Sequence, residues 1–283
     1  MNQMMPIQAT TQPSNRRSRR KMLHKFILIP GLLSAAVPAS AAERDFCAER
    51  PGQTTPPCTM APGDFMIETG LVDWNRADDA GSRTDTYLFG NSLLRAGVTD
   101  RLEFQLGWAP YGQVRSHDFG TGLRQSRSSI GDTTIGLLYG LGKDNGPVAL
   151  QGFFTLPTGG SAIGAGDWGA GARLPIQLPA GHGIELSITP EVDAAVNSSG
   201  SGRHLAVGAA AGVGVPVAAR LSASVDAALF RNDDPSGAKS LATAGGSIAY
   251  QAAKNLQFDT GMVAGLNRAT PKIRLYAGVA ARF

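Results

Sequence analysis

Apolar and polar side chains alternate with period two along most of the chain after residue 63. In the run from Ile184 to Ala194, for example, Glu185, Glu191 and Asp193 share one face while the aliphatic side chains share the other. Such alternation predicts β-strands with one apolar face. The runs span roughly 10 to 13 residues, the length that a tilted strand needs to cross a bilayer. Other clear runs cover residues 221–229, 256–267 and 272–283.

The segments that separate these runs are alternately short and long. Tight periplasmic turns and larger outer loops produce this asymmetry in membrane barrels. The pattern therefore predicts an all-β fold, a closed antiparallel transmembrane β-barrel of about 12 strands over residues 64–283. A soluble antiparallel sandwich also alternates and is the competing fold. Short turns are predicted near residues 98–101, 142–146, 179–183, 218–220 and 253–255, and longer polar loops near residues 75–83, 113–127, 157–166, 197–203, 231–238 and 267–270.

The last run ends in an aromatic residue, Phe283, which lies on the same face as Ile273 and Leu275. A terminal Phe after alternating apolar residues resembles the signal by which the outer-membrane assembly machinery recognises its substrates. The alternative is an edge strand that happens to end in Phe. We interpret Phe283 as an assembly signal and expect the assembly machinery to be a partner.

Once the apolar faces are assigned to lipid, charged residues of the runs fall on the lumen side. A Lys or Arg facing lipid at the midplane would cost about 2–4 kcal/mol, which supports this register. These groups could line a selective solute path, or they could pair with one another and fill the interior. The predicted lumen-lining residues are Glu68, Glu103, Asp132, Arg173, Glu185, Glu191, Asp193, Asp226, Asp259, Lys272, Arg274 and Arg282.

The first 41 residues have the composition of a secretory signal peptide. They contain six basic and no acidic residues, an apolar run from Phe26 to Val37 and the small residues Ala39 to Ala41. The apolar run is too short for a transmembrane helix. Without residues 1–41 the chain has 20 basic and 22 acidic residues, a net charge of −2. The basic pI of the whole chain therefore gives no reason to expect nucleic-acid binding.

Two cysteines, Cys47 and Cys58, follow the predicted signal peptide in a stretch rich in Pro and Gly. The periplasm is oxidising, so we expect a disulfide that closes this short loop. A metal or redox site would favour a Cys-x-x-Cys spacing or nearby histidines, and neither is present. Residues 42–63 are accordingly predicted to form a periplasmic N-terminal segment.

Charged side chains crowd the longest predicted loop, which carries Arg115, His117, Asp118, Arg124 and Arg127. The first interpretation is a solvated loop. A constriction folded into the barrel and a contact with lipopolysaccharide are the alternatives.

Catalysis is not expected. Three histidines follow the signal peptide, and the topology distributes His117, His182 and His204 between the two rims of the barrel. Ser201 lies near His204, but serines are common in such loops, and an activated serine needs a positioned base. We therefore predict that the protein is not an enzyme and that it has no cofactor or metal.

Five segments share their order and spacing with a known family. They are Glu68–Trp74, Leu94–Phe104, Gly107–Gly112, Ile130–Tyr139 and Leu156–Gly159. They resemble a family of outer-membrane barrels described as transporters of the MetA pathway of phenol degradation, over about residues 60–283. The segment from Cys47 to Cys58 also resembles mature N-termini of that family.

The resemblance implies a channel in the outer membrane of a Gram-negative bacterium that admits small hydrophobic or aromatic solutes by passive or gated diffusion. The alternative function is a largely closed structural or adhesive barrel that acts through its outer loops. Expected partners are outer-membrane lipid, lipopolysaccharide and the solute itself.

Overall fold

A computed structural model describes residues 44–142 and 146–283, so the predicted signal peptide at residues 1–41 lies outside the described residues. Within these ranges sixteen β-segments combine into twelve strands, because four strands are each interrupted once. The strands are β1 (Phe65–Asp79), β2 (Ser82–Phe89 and Asn91–Gly97), β3 (Leu102–Trp108 and Tyr111–Asp118), β4 (Arg124–Ser129 and Thr133–Gly140), β5 (Ala149–Leu156), β6 (Gly169–Arg173 and Ile176–Pro179), β7 (Glu185–Val196), β8 (Arg203–Ala218), β9 (Leu221–Asn232), β10 (Lys239–Ala253), β11 (Leu256–Gly265) and β12 (Ile273–Arg282).

Each strand pairs antiparallel with the next, and the last strand returns to the first. The closing pair runs from Met66 opposite Arg282 to Arg76 opposite Ile273. The prediction of a closed antiparallel barrel of about 12 strands is therefore confirmed. Among the described residues, no helix is long and apolar enough to cross a membrane.

Across the bilayer the barrel has its apolar side chains outside and its charged side chains inside. Along β4, Ile135, Leu137 and Tyr139 are exposed while the residues between them are buried. Conversely, Glu68 and Arg95 are among the most deeply buried side chains. This arrangement is the reverse of a water-soluble protein. It is stable in a membrane, because lipid covers the apolar outer face and the polar side chains are enclosed in the barrel.

A bulge in β1 decides which way Trp74 faces. By strict alternation from Glu68, Trp74 would point into the lumen unless a bulge intervened. The pairing with β12 shifts register between Gly70 and Val72, so the residues beyond it change faces. Trp74 thus lies outside, where its indole N–H donates to Asp85 at 3.0 Å.

Two predicted loops are wrong, because the strands continue through them. β1 and β2 are joined by a two-residue turn, in which Gly81 has φ +92°, instead of a loop over residues 75–83. Similarly, β3 extends to Asp118 and β4 begins at Arg124, within the predicted loop 113–127. Beyond the bilayer both faces of a sheet meet water, so the backbone ladder persists after the alternation of apolar residues has ended.

Aromatic pairs lie at both ends of the barrel wall. Phe65 stacks on Phe283 with ring centroids 5.0 Å apart at the periplasmic end. At the outer end, the rings of Phe89 and Tyr111 lie 6.1 Å apart. These two levels suit the girdles that mark the membrane interfaces.

Substitution of an outward residue with Arg tests the register. Val225 lies near the middle of β9 and is 63% exposed, so we expect Val225→Arg to lower the free energy of unfolding in liposomes by about 2–4 kcal/mol. Val217→Arg, at the periplasmic end of β8, is the matched control and should cost about 0–1 kcal/mol. Denaturant titration in lipid measures both, and equal costs would contradict the assigned lipid face.

Candidate pore and its plug

The N-terminal segment lies inside the barrel. Residues 44–62, called the plug below, make side-chain and backbone hydrogen bonds to interior residues on strands around the barrel. The sequence predicts a periplasmic segment over residues 42–63, whereas the structure places residues 44–62 in the lumen. The predicted pairing of Cys47 with Cys58 is present and closes the loop that enters the lumen.

The base of the plug is held by a buried guanidinium. Arg95 donates to the carbonyl oxygens of Cys47 at 2.7 Å and Cys58 at 2.9 Å, which flank the disulfide. Its other contacts are ion pairs with Glu68 at 3.2 Å and Glu103 at 2.7 Å. Arginine stays protonated in proteins, so this buried charge depends on both carboxylates.

The two carboxylates also bind the plug directly. Glu68 accepts hydrogen bonds from the backbone amides of Glu49 and Arg50, each at 2.9 Å. Glu103 accepts one from the amide of Met60 at 2.8 Å. Three neighbouring strands thus hold the base through charge-assisted hydrogen bonds, which are stronger than neutral ones.

A polar chain continues from the base around the wall. Gln105 donates to the carboxylate of Glu49 at 3.0 Å, and Gln151 donates to Gln105 at 2.6 Å. Beyond Gln151, Arg173 forms an ion pair with Glu191 at 2.8 Å. The buried guanidinium of Arg173 is thus balanced by a carboxylate on the neighbouring strand β7.

Residues 50–56, the tip of the plug, reach the opposite wall. Arg50 forms an ion pair with Asp259 at 2.8 Å, and the amide of Gly52 donates to the hydroxyl of Tyr276 at 3.2 Å. The Arg50 guanidinium packs directly against Gly278, and a side chain at position 278 would collide with it. The remaining contacts of the tip are hydrogen bonds of Gln53 with Asp226 and Thr243, of Thr54 with Ser187, and of Thr55 with Thr189.

The wall facing the tip carries small side chains. On β8, the buried residues Ala206 and Ala210 point inward, while Val207 and Val213 are exposed on the outside. Ala228, Thr243, Ser247 and Ala249 continue the small inner surface on β9 and β10. Side chains of this size leave the middle of the barrel unfilled, and the plug occupies that space.

A second segment packs against the inner wall in the outer half of the barrel. Residues 157–168 connect β5 to β6, and Asp132 accepts hydrogen bonds from the amides of Gly159 at 2.8 Å and Ala165 at 2.7 Å. Ile163 packs over Gly112, whose Cβ would overlap the Ile163 side chain. This loop is thus fixed against the inner surface of β3 and β4.

The fixed loop is joined to its neighbour. The amides of Gly202 and Trp168 donate to the carboxylate of Asp167 at 3.0 Å and 2.8 Å. These two hydrogen bonds hold the pKa of Asp167 below its usual range. The next loop joins through Asp234, which accepts from the amide of Ser198 at 2.7 Å. His204 lies 3.1 Å from the side-chain oxygen of Asn197 in the same region.

The predicted lumen residues occupy four environments. Asp132 lies under the fixed loop, whereas Glu185 is exposed beside Gln177, and Lys272 is 69% exposed and 3.5 Å from Asp78 at the outer rim. Asp193 is partly buried, and one of its oxygens has no hydrogen-bond partner among the described residues. Glu68, Glu103, Arg173, Glu191, Asp226, Asp259, Arg274 and Arg282 contact the plug or a partner on a neighbouring strand.

Several residues of this network were missed from the sequence: Glu49, Arg50, Asp73, Arg95, Gln105 and Gln151. Arg95 lies between the apolar residues Leu94 and Ala96. The alternation along β2 therefore indicates that Arg95 points into the barrel.

Solved structures share this fold. An outer membrane channel from Pseudomonas putida F1 superposes with a TM-score of 0.62 at 15% identity, covering 83% of this chain and 99% of that one. The translocator domain of the autotransporter NalP from Neisseria meningitidis gives a TM-score of 0.51 at 12% identity, covering 79% and 90%. The shared barrel fold points to an outer-membrane location in a Gram-negative bacterium. No curated protein sequence matches the chain.

The family comparison covers both the plug and the barrel. Residues 48–283 match the family described as "Putative MetA-pathway of phenol degradation", a stretch that includes most of the plug and all twelve strands. The chain therefore belongs to this family.

Proposed function

We propose that this protein is an outer-membrane channel for small hydrophobic or aromatic solutes, opened by movement of its plug. The observation that carries the proposal is that the lumen is filled by a segment of the chain held by polar contacts, within a wall of small side chains on β8 to β10. A barrel with a purely structural role can be filled by its own wall. The plug is a separate segment of the chain, so it can move while the barrel wall stays intact.

The charges in the lumen and the family description both support this solute class. Arg173 pairs with Glu191, Arg274 with Asp73 and Arg50 with Asp259, so these three interior cations are already neutralised and offer an anionic solute little to bind. The family description refers to phenol degradation. An uncharged aromatic compound suits both features, and its diffusion down a gradient needs no energy source.

The tip is the part of the plug that we expect to move. A buried ion that loses its partner costs about 3–5 kcal/mol, so the base around Arg95 stays in place. A neutral hydrogen bond contributes only about 0.5–1.5 kcal/mol, and bonds of this kind, such as that between Thr55 and Thr189, make up much of the hold on the tip. Arg50 is held in the same way by its buried ion pair with Asp259, so the moving part is residues 51–56, whose withdrawal would expose the small inner surface of β8 to β10.

Solute flux into proteoliposomes tests the function. The purified full chain should admit phenol or toluene faster than a charged aromatic such as benzenesulfonate, measured by quenching of an enclosed dye or by swelling. If neither the native protein nor the plug variants below show any flux or conductance, the protein is instead a closed barrel with a structural or adhesive role.

Removal of the disulfide should loosen the plug. The bond closes a loop across 11 positions and restricts the chain that forms the tip, so Cys47→Ser with Cys58→Ser should raise the open fraction in planar-bilayer recordings several-fold. A reductant should have the same effect on the native protein and none on the double variant, which serves as the control. Unchanged traces for all samples would exclude a disulfide-restrained gate.

Release of the outer loop should also increase flux. Asp132→Ala removes two charge-assisted hydrogen bonds, each worth about 1.5–3 kcal/mol, from residues 157–168. We expect larger single-channel conductance and faster proteolysis of that loop. Asp118→Ala is the matched control, because Asp118 also accepts hydrogen bonds within a turn, from Thr121, but lies on an outer hairpin. Equal conductance in both variants would show that the loop does not restrict the path.

A further inference from the structure

Strands β2, β3 and β4 rise beyond the outer aromatic residues and present basic side chains on their outward face. Arg83, Arg115, His117 and Arg124 form this basic patch. We propose that the basic patch binds phosphate groups of lipopolysaccharide in the outer leaflet. The proposal rests on the outer-membrane location and is independent of which solute the lumen admits.

Strand register places the four residues side by side. Arg83 lies opposite His117 across β2 and β3, and His117 lies opposite Arg124 across β3 and β4. Arg115 lies two residues before His117 on the same face, so it is a diagonal neighbour of Arg124. Directly opposed residues on adjacent strands are about 5 Å apart, close enough for one phosphate to contact two of these side chains.

The patch lies at the level of the outer headgroups. Tyr111, four residues before Arg115 on β3, packs near Phe89 in the outer girdle. Four residues of strand span about 13 Å before tilt is considered. Aromatic girdles mark the level of the headgroups, so the patch lies among or just above them, where lipopolysaccharide carries its phosphates.

Two of the cations have no carboxylate partner. Arg83 pairs with Asp85 at 2.7 Å, whereas Arg115 donates to Gln113 at 2.9 Å and lies 5.2 Å from the ring centre of Tyr87. Among the described residues, no carboxylate lies within 4.0 Å of Arg115 or Arg124 in an ion pair. Two exposed guanidinium groups therefore remain available, and guanidinium matches phosphate oxygens in geometry.

The sheet holds the patch in a fixed arrangement. Arg115 and Arg124 belong to paired strands, where the expected solvated loop would have left them on a flexible chain. Fixed cations lose less conformational entropy when they bind an anion. Arg231 offers a contrast on another outer segment, because it is already paired with Asp233 at 2.8 Å.

Lipid A binding by the full-length protein in detergent tests the proposal. Arg115→Gln with Arg124→Gln should weaken binding of bisphosphorylated lipid A about tenfold or more. Arg231→Gln, the matched control, should bind as the native protein does. Dephosphorylated lipid A should bind the native protein and the double variant equally weakly.

Heat-modifiable migration on a gel reports that each variant is a folded barrel, so weaker binding in a folded variant supports the proposal. Unchanged affinity in the double variant would overturn it. An equal loss in Arg231→Gln would also overturn it, as would tight binding of the dephosphorylated lipid by the native protein.

Discussion

Hydrocarbon offers no hydrogen-bond partner to a peptide group, and each unsatisfied group costs several kcal/mol. A sheet in the membrane must therefore pair every strand on both sides, which here requires β12 to return to β1. Closure then determines the rest of the structure. Within the bilayer the outer face becomes apolar because lipid contacts it, and charge is tolerated on the enclosed face.

The enclosed space creates a second requirement. Twelve strands enclose more volume than the small side chains of β8 to β10 can fill, and the charged groups of β1 to β3 need partners. The plug meets both needs at once. Its backbone amides satisfy Glu68 and Glu103, its carbonyls satisfy Arg95, and its tip occupies the space beside the small wall. Ion pairs hold the base at Arg95 and the start of the tip at Arg50, whereas neutral hydrogen bonds such as that of Thr55 hold much of the rest of the tip.

The sequence predicted features that depend on alternation and length. Strand number, closure and the Cys47–Cys58 bond follow from local patterns, and they are present in the structure. Strict alternation along β1 would place Trp74 inside the barrel. The bulge between Gly70 and Val72 places it outside, and the sequence pattern does not show that bulge. The interior position of the plug could not be predicted, because residues 44–62 have no periodicity and their partners lie up to 238 positions away along the chain.

The errors over residues 75–83 and 113–127 share one cause, which also bears on the outer surface. Alternation records the contrast between lipid and lumen, so it vanishes once a strand leaves the bilayer, although the ladder of backbone hydrogen bonds continues. The polar residues of the rising strands then resemble a loop in sequence while they occupy a rigid sheet. Charged side chains on such a sheet keep fixed spacing with respect to the membrane surface, as Arg115 and Arg124 do. A flexible loop would average that spacing away, so the continuation of the strands gives these charges a defined position relative to the lipid headgroups.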